Sequence, residues 1–229
     1  MSSQWKYVYK IGAVSAILFV VYSLVTIFIQ FFVGGMPGSA LEAYQLLHEN
    51  LLTGLLRLDA LTILVIPLYF PIFLAIYVAL KDGEPGMAAF AALLVFAGTT
   101  LFLATPSAFP LVRLSEQYYA ASSAVEQERL LAVGEALIAS DMWHASGAAV
   151  GGILQLVAGL VFAILMLRGD RFGRWTAILG TITFGIDLLH KMALIFSPSL
   201  AMVLMFGMTF YLIWFPLLSR DLFRLAREE

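Results

Sequence analysis

Residues 11–33 read IGAVSAILFVVYSLVTIFIQFFV. None of these 23 positions carries Asp, Glu, Lys, Arg or His. A helix that crosses the hydrocarbon core needs about 20 mostly apolar residues. This stretch is long enough to span a bilayer and longer than a signal-peptide core of about 7–15 residues. No clear small-x-small cleavage site follows it, so it reads as a retained first span. Five more stretches share its character: 60–80, 86–105, 145–167, 175–196 and 200–218. Lys81-Asp82-Gly83 closes the second, and Pro106 and Pro110 end the third. Arg168 closes the fourth, and Ser197-Pro198-Ser199 divides the fifth from the sixth.

Whole-chain composition points the same way. Of 229 residues, 62% are hydrophobic and 12% charged, against about 45–50% and about 25% in soluble domains. A soluble chain of this size leaves too much surface exposed to hide that apolar content. The expected fold is therefore all-α: one domain over residues 1–229, an integral membrane bundle of six transmembrane helices. The expected partners are membrane lipids. A net charge of −2 gives no basic field for nucleic acid. The absence of cysteine excludes disulfides, thiolate metal ligands and cysteine nucleophiles. Nothing in the sequence names a cofactor.

Lys and Arg fix the expected orientation. Lys6, Lys10, Lys81, Arg168, Arg171, Arg174, Arg220, Arg224 and Arg227 fall on one side; Arg57, Arg113 and Arg129 fall on the other. Lys191 lies inside a span. The bias puts the N- and C-termini in the cytoplasm and the two longer connections outside. Both connections carry a capping box, Ser39-Ala-Leu-Glu42 and Ser123-Ala-Val-Glu126. After the second box, Leu130, Val133, Leu137 and Ile138 recur at helical spacing. Two amphipathic interfacial helices on the outer side are expected from this pattern. Two related halves are not apparent.

Ionisable groups in hydrocarbon cost about 2.5–3.5 kcal/mol each on insertion scales and need a reason to be there. Asp187, His190 and Lys191 sit in the outer half of the fifth span at helical spacing, above a small polar stripe of Thr183, Gly180 and Thr176. Gly147, Gly151, Gln155 and Gly159 form a matching stripe on the fourth span, so these two helices are expected to pack together. Arg57 and Asp59 begin the second span, Asp141 and His144 precede the fourth, and Gln30 ends the first. All lie toward the outer side. Pro67 and Pro71 are expected to kink the second span and free carbonyls there.

Three readings of this polar layer stand open. It is a binding or transport site for a small polar or amphiphilic ligand, built from Asp187, His190, Lys191, Asp59, Arg57, His144, Gln155 and Gln30. Or it is an ion-pair network that fixes helix register in a structural partner of another membrane protein, with Asp187 on Lys191 and Asp59 on Arg57 or another helix. Or it belongs to a metal-dependent intramembrane hydrolase. His48, His144 and His190 are the chain's histidines, and with Asp59, Asp141 or Asp187 they offer N/O ligands for zinc. No His-x-x-x-His or His-Glu-x-x-His motif is present, nor a Gly-x-Ser-x-Gly elbow, a phosphate loop or a dinucleotide fingerprint.

Two stretches resemble a known family. Leu114-Ser-Glu-Gln-Tyr-Tyr-Ala-Ala with Glu128-Arg129-Leu-Leu and Gly134-Glu135-Ala-Leu is one. Arg168 through Phe172-Gly-Arg174-Trp175-Thr-Ala177-Ile-Leu-Gly180 is the other. Together they are similar to a widespread bacterial family of six-span membrane proteins known as a domain of unknown function. Leu58-Asp59-Ala-Leu and Arg220-Asp-Leu-Phe-Arg224-Leu look similar too. The resemblance implies a bacterial inner-membrane location and the six-span fold, and it implies no activity and no site residues.

Overall fold

The computed structural model describes residues 4–105, 108–140 and 145–228. The described residues are helical, with no strand among them. Helix α1 (Gln4–Phe28) runs on as a π-helical turn, Ile29–Val33. Then come α2 (Ala40–Glu49), α3 (Leu51–Arg57) and α4 (Leu61–Val65), followed by a 3₁₀ turn, Ile66–Leu68. Next are α5 (Tyr69–Leu80), α6 (Pro85–Leu103), α7 (Ala108–Ala120) and α8 (Ala124–Ala139). Last come α9 (Ser146–Arg168), α10 (Arg174–Phe196), α11 (Pro198–Leu204), a 3₁₀ stretch Met205–Phe210, and α12 (Tyr211–Glu228).

Among the described residues, five helical segments are long and apolar enough to cross a membrane. They are Trp5–Val33, Leu61–Leu80, a segment within Pro85–Ala120, Ser146–Arg168 and Arg174–Leu194. Along α1 the side chains of Val14, Leu18, Val21 and Leu24 stand exposed. A contiguous apolar face of that length is what a lipid-facing helix presents.

The chain from 200 to 218 is not one continuous α-helix. It passes through α11 and the 3₁₀ stretch before α12 begins. Helix α12 then runs ten residues beyond the expected end, to Glu228. The break at Pro67 is present: α4 ends at Val65 and the chain tightens to 3₁₀ through Ile66–Leu68. Proline there has no N–H to continue the ladder. Pro71 does not interrupt its helix, because it lies in the first turn of α5, where no intrahelical donor is missed.

The described residues form two compact units. One comprises those of Met1–Val21, Pro67–Leu101 and Val150–Glu229; the other, those of Tyr22–Ile66 and Phe102–Ala149. The first unit has an aromatic interior. Phe19 stacks on Tyr69 and on Phe215, and Phe184 meets both Tyr211 and Trp214 edge-on. Its helices approach closely at glycines. A Cβ on Gly98 of α6 would stand 2.5 Å from the Gly151 carbonyl oxygen of α9. Gly159 faces the Phe184 ring, and Gly180 faces Ala163 and Trp214, so α9 and α10 do pack as expected. The α9 stripe nevertheless serves two neighbours. Gln155 donates to Thr99 Oγ1 of α6 at 3.1 Å, not to α10.

In the same unit the last helix locks the start of α10. Gly173, its N-cap, offers no side chain. The Asp221 carboxylate, 1% exposed, fills that role from α12. Its Oδ2 accepts from the Gly173 N–H at 2.8 Å and from Thr176 Oγ1 at 2.6 Å. An anion here faces the unsatisfied amides and the positive end of the helix dipole.

The second unit holds a small helical subdomain with its own apolar core. Ala40, Ala43, Tyr44 and Leu47 of α2 pack with Leu58, Ala108 and Leu111, and Leu131, Leu137 and Ile138 of α8 close over them. The two long connections are therefore helical, through α2, α3, α7 and α8, and these helices share that core. Both predicted serines cap their helices: Ser39 Oγ accepts from the Glu42 N–H at 3.2 Å and Ser123 Oγ from the Glu126 N–H at 3.3 Å. The α2 start is held twice more, by Gly38 N–H on Glu42 Oε2 and by Ala40 N–H on Glu135 Oε1 of α8. Tyr44 Oη donates to the Leu130 carbonyl at 2.8 Å, against Gly134, where a side chain would leave no room. Burial and the Glu135 charge raise the Tyr44 phenol above its ordinary value.

Candidate functional site

Three of the predicted polar residues come together in the second unit. Gln30, Arg57 and Asp59 line a half-open cavity of about 250 Å³, with Thr26, Ile29, Met36 and Leu56 as the other walls. The local backbone around it is unusual in three places. Ile29–Val33 is the π-helical segment; π turns are rare and concentrate at functional sites. Gly34 ends it with φ +128° while its N–H still reaches the Ile29 carbonyl. A side chain at Gly34 is strained by that φ and would also meet Arg57 Nε at 3.0 Å. Asp59 has φ +55°.

Asp59 takes that conformation because it terminates α3. Its N–H bonds the Leu56 carbonyl and the Ala60 N–H bonds the Leu55 carbonyl, the paired closure of a left-handed helix end. Glycine normally occupies this position, and an Asp there is tolerated because its short polar side chain bonds locally. The strain is one that functional sites commonly retain.

The charges on the cavity wall are arranged unequally. Arg57 Nε donates to the Gly35 carbonyl at 2.7 Å and Nη2 donates to Glu42 Oε1 at 3.1 Å. Its side chain is 17% exposed, so this ion pair is partly desolvated. Asp59 does not take part in it. Its Oδ1 accepts from the Tyr22 hydroxyl at 3.4 Å, and Tyr22 is also hydrogen-bonded to the fully buried Thr62 hydroxyl. Burial raises the Asp59 carboxyl above the ordinary carboxylate range, and the Thr62 and Tyr22 hydrogen bonds oppose that rise.

Asp187, His190 and Lys191 belong to the other unit. Asp187 and His190 are buried on α10. The hydrogen-bond partner of Asp187 is not Lys191 but the Tyr211 hydroxyl of α12, 2.9 Å from Oδ2. The α12 turn brings a phenol within reach, and Lys191 extends instead past Gly152 of α9, its Cε 3.7 Å from where a Cβ would be. Gln155 is buried against α6 in this unit and is a packing residue. His48 lies on α2 in the second unit, its ring stacked on Tyr119 at 3.8 Å. His144 and Asp141 lie outside the described residues. Among the described residues, no three His, Asp or Glu side chains are grouped to hold a metal ion.

A larger recess of about 480 Å³ lies at the 81–84 and 168–171 loops of the first unit, with Asp82, Glu84 and Asp170 beside Arg168 and Arg171. Arg168 reaches Glu84 there only at 3.7 Å, with both side chains largely in solvent. It carries none of the backbone specialisation seen at Asp59 and Gly34. Sequence reading identifies Gln30, Arg57 and Asp59 as site residues and Glu42 as part of a helix cap, but not Tyr22, Thr26 or Met36. The Gly34-Gly35 pair directly after an uncharged span was the available signal for a special backbone there.

No protein-family model, no characterised protein and no solved structure matches this chain.

Proposed function

We propose that this chain is a multi-pass protein of a bacterial inner membrane which binds a small amphiphilic ligand in the cavity lined by Gln30, Arg57 and Asp59. In this reading it crosses the membrane six times. The sixth crossing is made by α11, the 3₁₀ stretch and the first turns of α12. Both termini are cytoplasmic, as the nine-to-three distribution of Lys and Arg favours. The cavity then opens on the outer side, at the end of α1 and under the α2, α3, α7 and α8 subdomain.

The observation that carries the reading is a coincidence of place. The π turn, through Ile29 and Gln30, and the left-handed Asp59 line one cavity, and the positive-φ Gly34 lies against Arg57 of its wall. Backbone strain of about 1–3 kcal/mol per residue persists where surrounding structure enforces it and function uses it. The walls combine apolar Ile29, Met36 and Leu56 with a few convergent polar groups, the usual make-up of a small-molecule site.

Non-denaturing mass spectrometry of protein purified in mild detergent tests this. The expected result is a small-molecule adduct at one per chain that Leu56→Trp, which fills the cavity, no longer carries while remaining helical by circular dichroism. The same adducts on both proteins would refute it.

A further inference from the structure

Charge accounting on the cavity wall narrows the ligand class, given the binding reading above. Two ionisable side chains of opposite sign face the cavity, Arg57 and Asp59. Arg57 is already matched. Its Nε is held by the Gly35 carbonyl and its Nη2 by Glu42, which in turn takes the Gly38 N–H on its other oxygen. That pair is closed on itself and pinned. Asp59 is not matched. The groups that bond it are the hydroxyls of Tyr22 and Thr62, which are neutral. Among the described residues it makes no ion pair.

A half-buried carboxylate facing neutral partners leaves one negative charge on the wall of a partly apolar cavity. An anionic ligand end would be repelled by it. A neutral end would leave it uncompensated. A compact cation would satisfy it with a charge-assisted hydrogen bond, roughly twice as strong as a neutral one. The cavity of about 250 Å³ has room for such a head and a few carbons against Met36 and Leu56. A longer chain must leave by the cavity's open side.

We infer that the ligand of this pocket is a cationic amphiphile, a primary ammonium on a short apolar body, with the ammonium on the Asp59 carboxylate and the body along Ile29, Met36 and Leu56. Arg57 and Glu42 position the wall and do not carry the charge of recognition.

Calorimetric titration at pH 7 of the protein in phosphatidylcholine nanodiscs tests this with three probes that share one tail: decylammonium, decyl sulfate and decanol. Wild type should bind decylammonium saturably at one site, and the other two at least about tenfold more weakly. Asp59→Asn, which tolerates the left-handed backbone, should lose about tenfold for decylammonium alone, with its thermal unfolding retained. Leu56→Trp should lose the site for all three. If decyl sulfate or decanol binds best and Leu56→Trp removes that binding, the pocket stands and the cation assignment falls. Unchanged decylammonium affinity in Asp59→Asn also overturns the assignment. If all three probes give equal signals with wild type and Leu56→Trp, they are partitioning into lipid, and both the cation and the pocket are refuted.

Discussion

Arg57 donates to Glu42 across fifteen residues of chain, at 3.1 Å, and leaves Asp59, two residues away, to the Tyr22 and Thr62 hydroxyls. The pairing ties the end of α3 to the first turn of α2, and the bond from Nε to the Gly35 carbonyl ties it to the loop between α1 and α2. A planar fork suits these two acceptors, and an ammonium does not reproduce it.

Arg57→Ala should therefore cost about 1–3 kcal/mol, the usual loss when a hydrogen-bonded charged group leaves its partners unsatisfied. Arg57→Lys should recover only part of it. In thermal unfolding in detergent, Glu42→Gln added to Arg57→Ala should lower the midpoint by less than the sum of the single effects. Additive shifts would mean the two side chains do not act as a unit.

The left-handed conformation of Asp59 separates backbone from side chain. Asp59→Gly removes strain at φ +55° and deletes the carboxylate. It should unfold at or above the wild-type midpoint, while Asp59→Val, β-branched and poorly suited to positive φ, should lose about 1–3 kcal/mol. A Gly variant less stable than the Val variant would place the role of this residue in its side chain's packing instead.

The raised carboxyl of Asp59 gives a pH signature. Folded protein holds this proton more tightly than unfolded protein. Stability should therefore fall as pH rises from the ordinary carboxylate value, about 3.9, through the raised one, and Asp59→Asn should remove that step. Decylammonium affinity should change oppositely across the same window, rising as the carboxyl ionises. Chemical denaturation and titration between pH 4 and 7, on wild type and Asp59→Asn, read both.

Asp221 should matter more than its place near the chain's end suggests. Asp221→Ala leaves the Gly173 N–H and Thr176 hydroxyl without their buried acceptor. A loss of about 1–3 kcal/mol is expected, with Asp221→Asn intermediate, because the amide oxygen still accepts but the charge on the α10 dipole is gone. Hydrogen exchange should localise the loss to the first turn of α10. Uniform exchange along the chain would contradict the capping role.

The apolar runs made the helices legible, because 11–33, 60–80 and 145–167 carry their reason for being helical in composition alone. The caps were legible as well, since Ser39 and Ser123 stand three residues before Glu. The sixth run misled about continuity. Hydropathy counts residues, and it does not register that Met205–Phe210 tightens to 3₁₀. Helix α7 was missed because Pro106 and Pro110 read as an ending; Pro110 in fact occupies the first turn of α7, where proline is accepted. Its spacing of Ala108, Leu111, Ser115 and Tyr118 held the signal. The helices of the long connections carry amphipathic spacing, but a moment cannot say which neighbour an apolar face meets, and here Leu137 and Ile138 meet the core that holds Tyr44 and Leu47. Partner choice is the information that sequence spacing withholds. It is why spacing points Asp187 at Lys191, one turn away, when its hydrogen bond goes to Tyr211, twenty-four residues on.

An outward-facing cavity at Gln30, Arg57 and Asp59 is the claim on which the rest stands, and the cysteine-free chain allows a clean test of it. Met36→Cys, on the cavity wall, and Gly169→Cys, in the loop after α9, are each treated in intact spheroplasts with a membrane-impermeant maleimide. Met36→Cys should be labelled at once and shielded by decylammonium, while Gly169→Cys should react only after permeabilisation. Labelling of Gly169→Cys from outside, with Met36→Cys silent until the membrane is opened, would contradict the account.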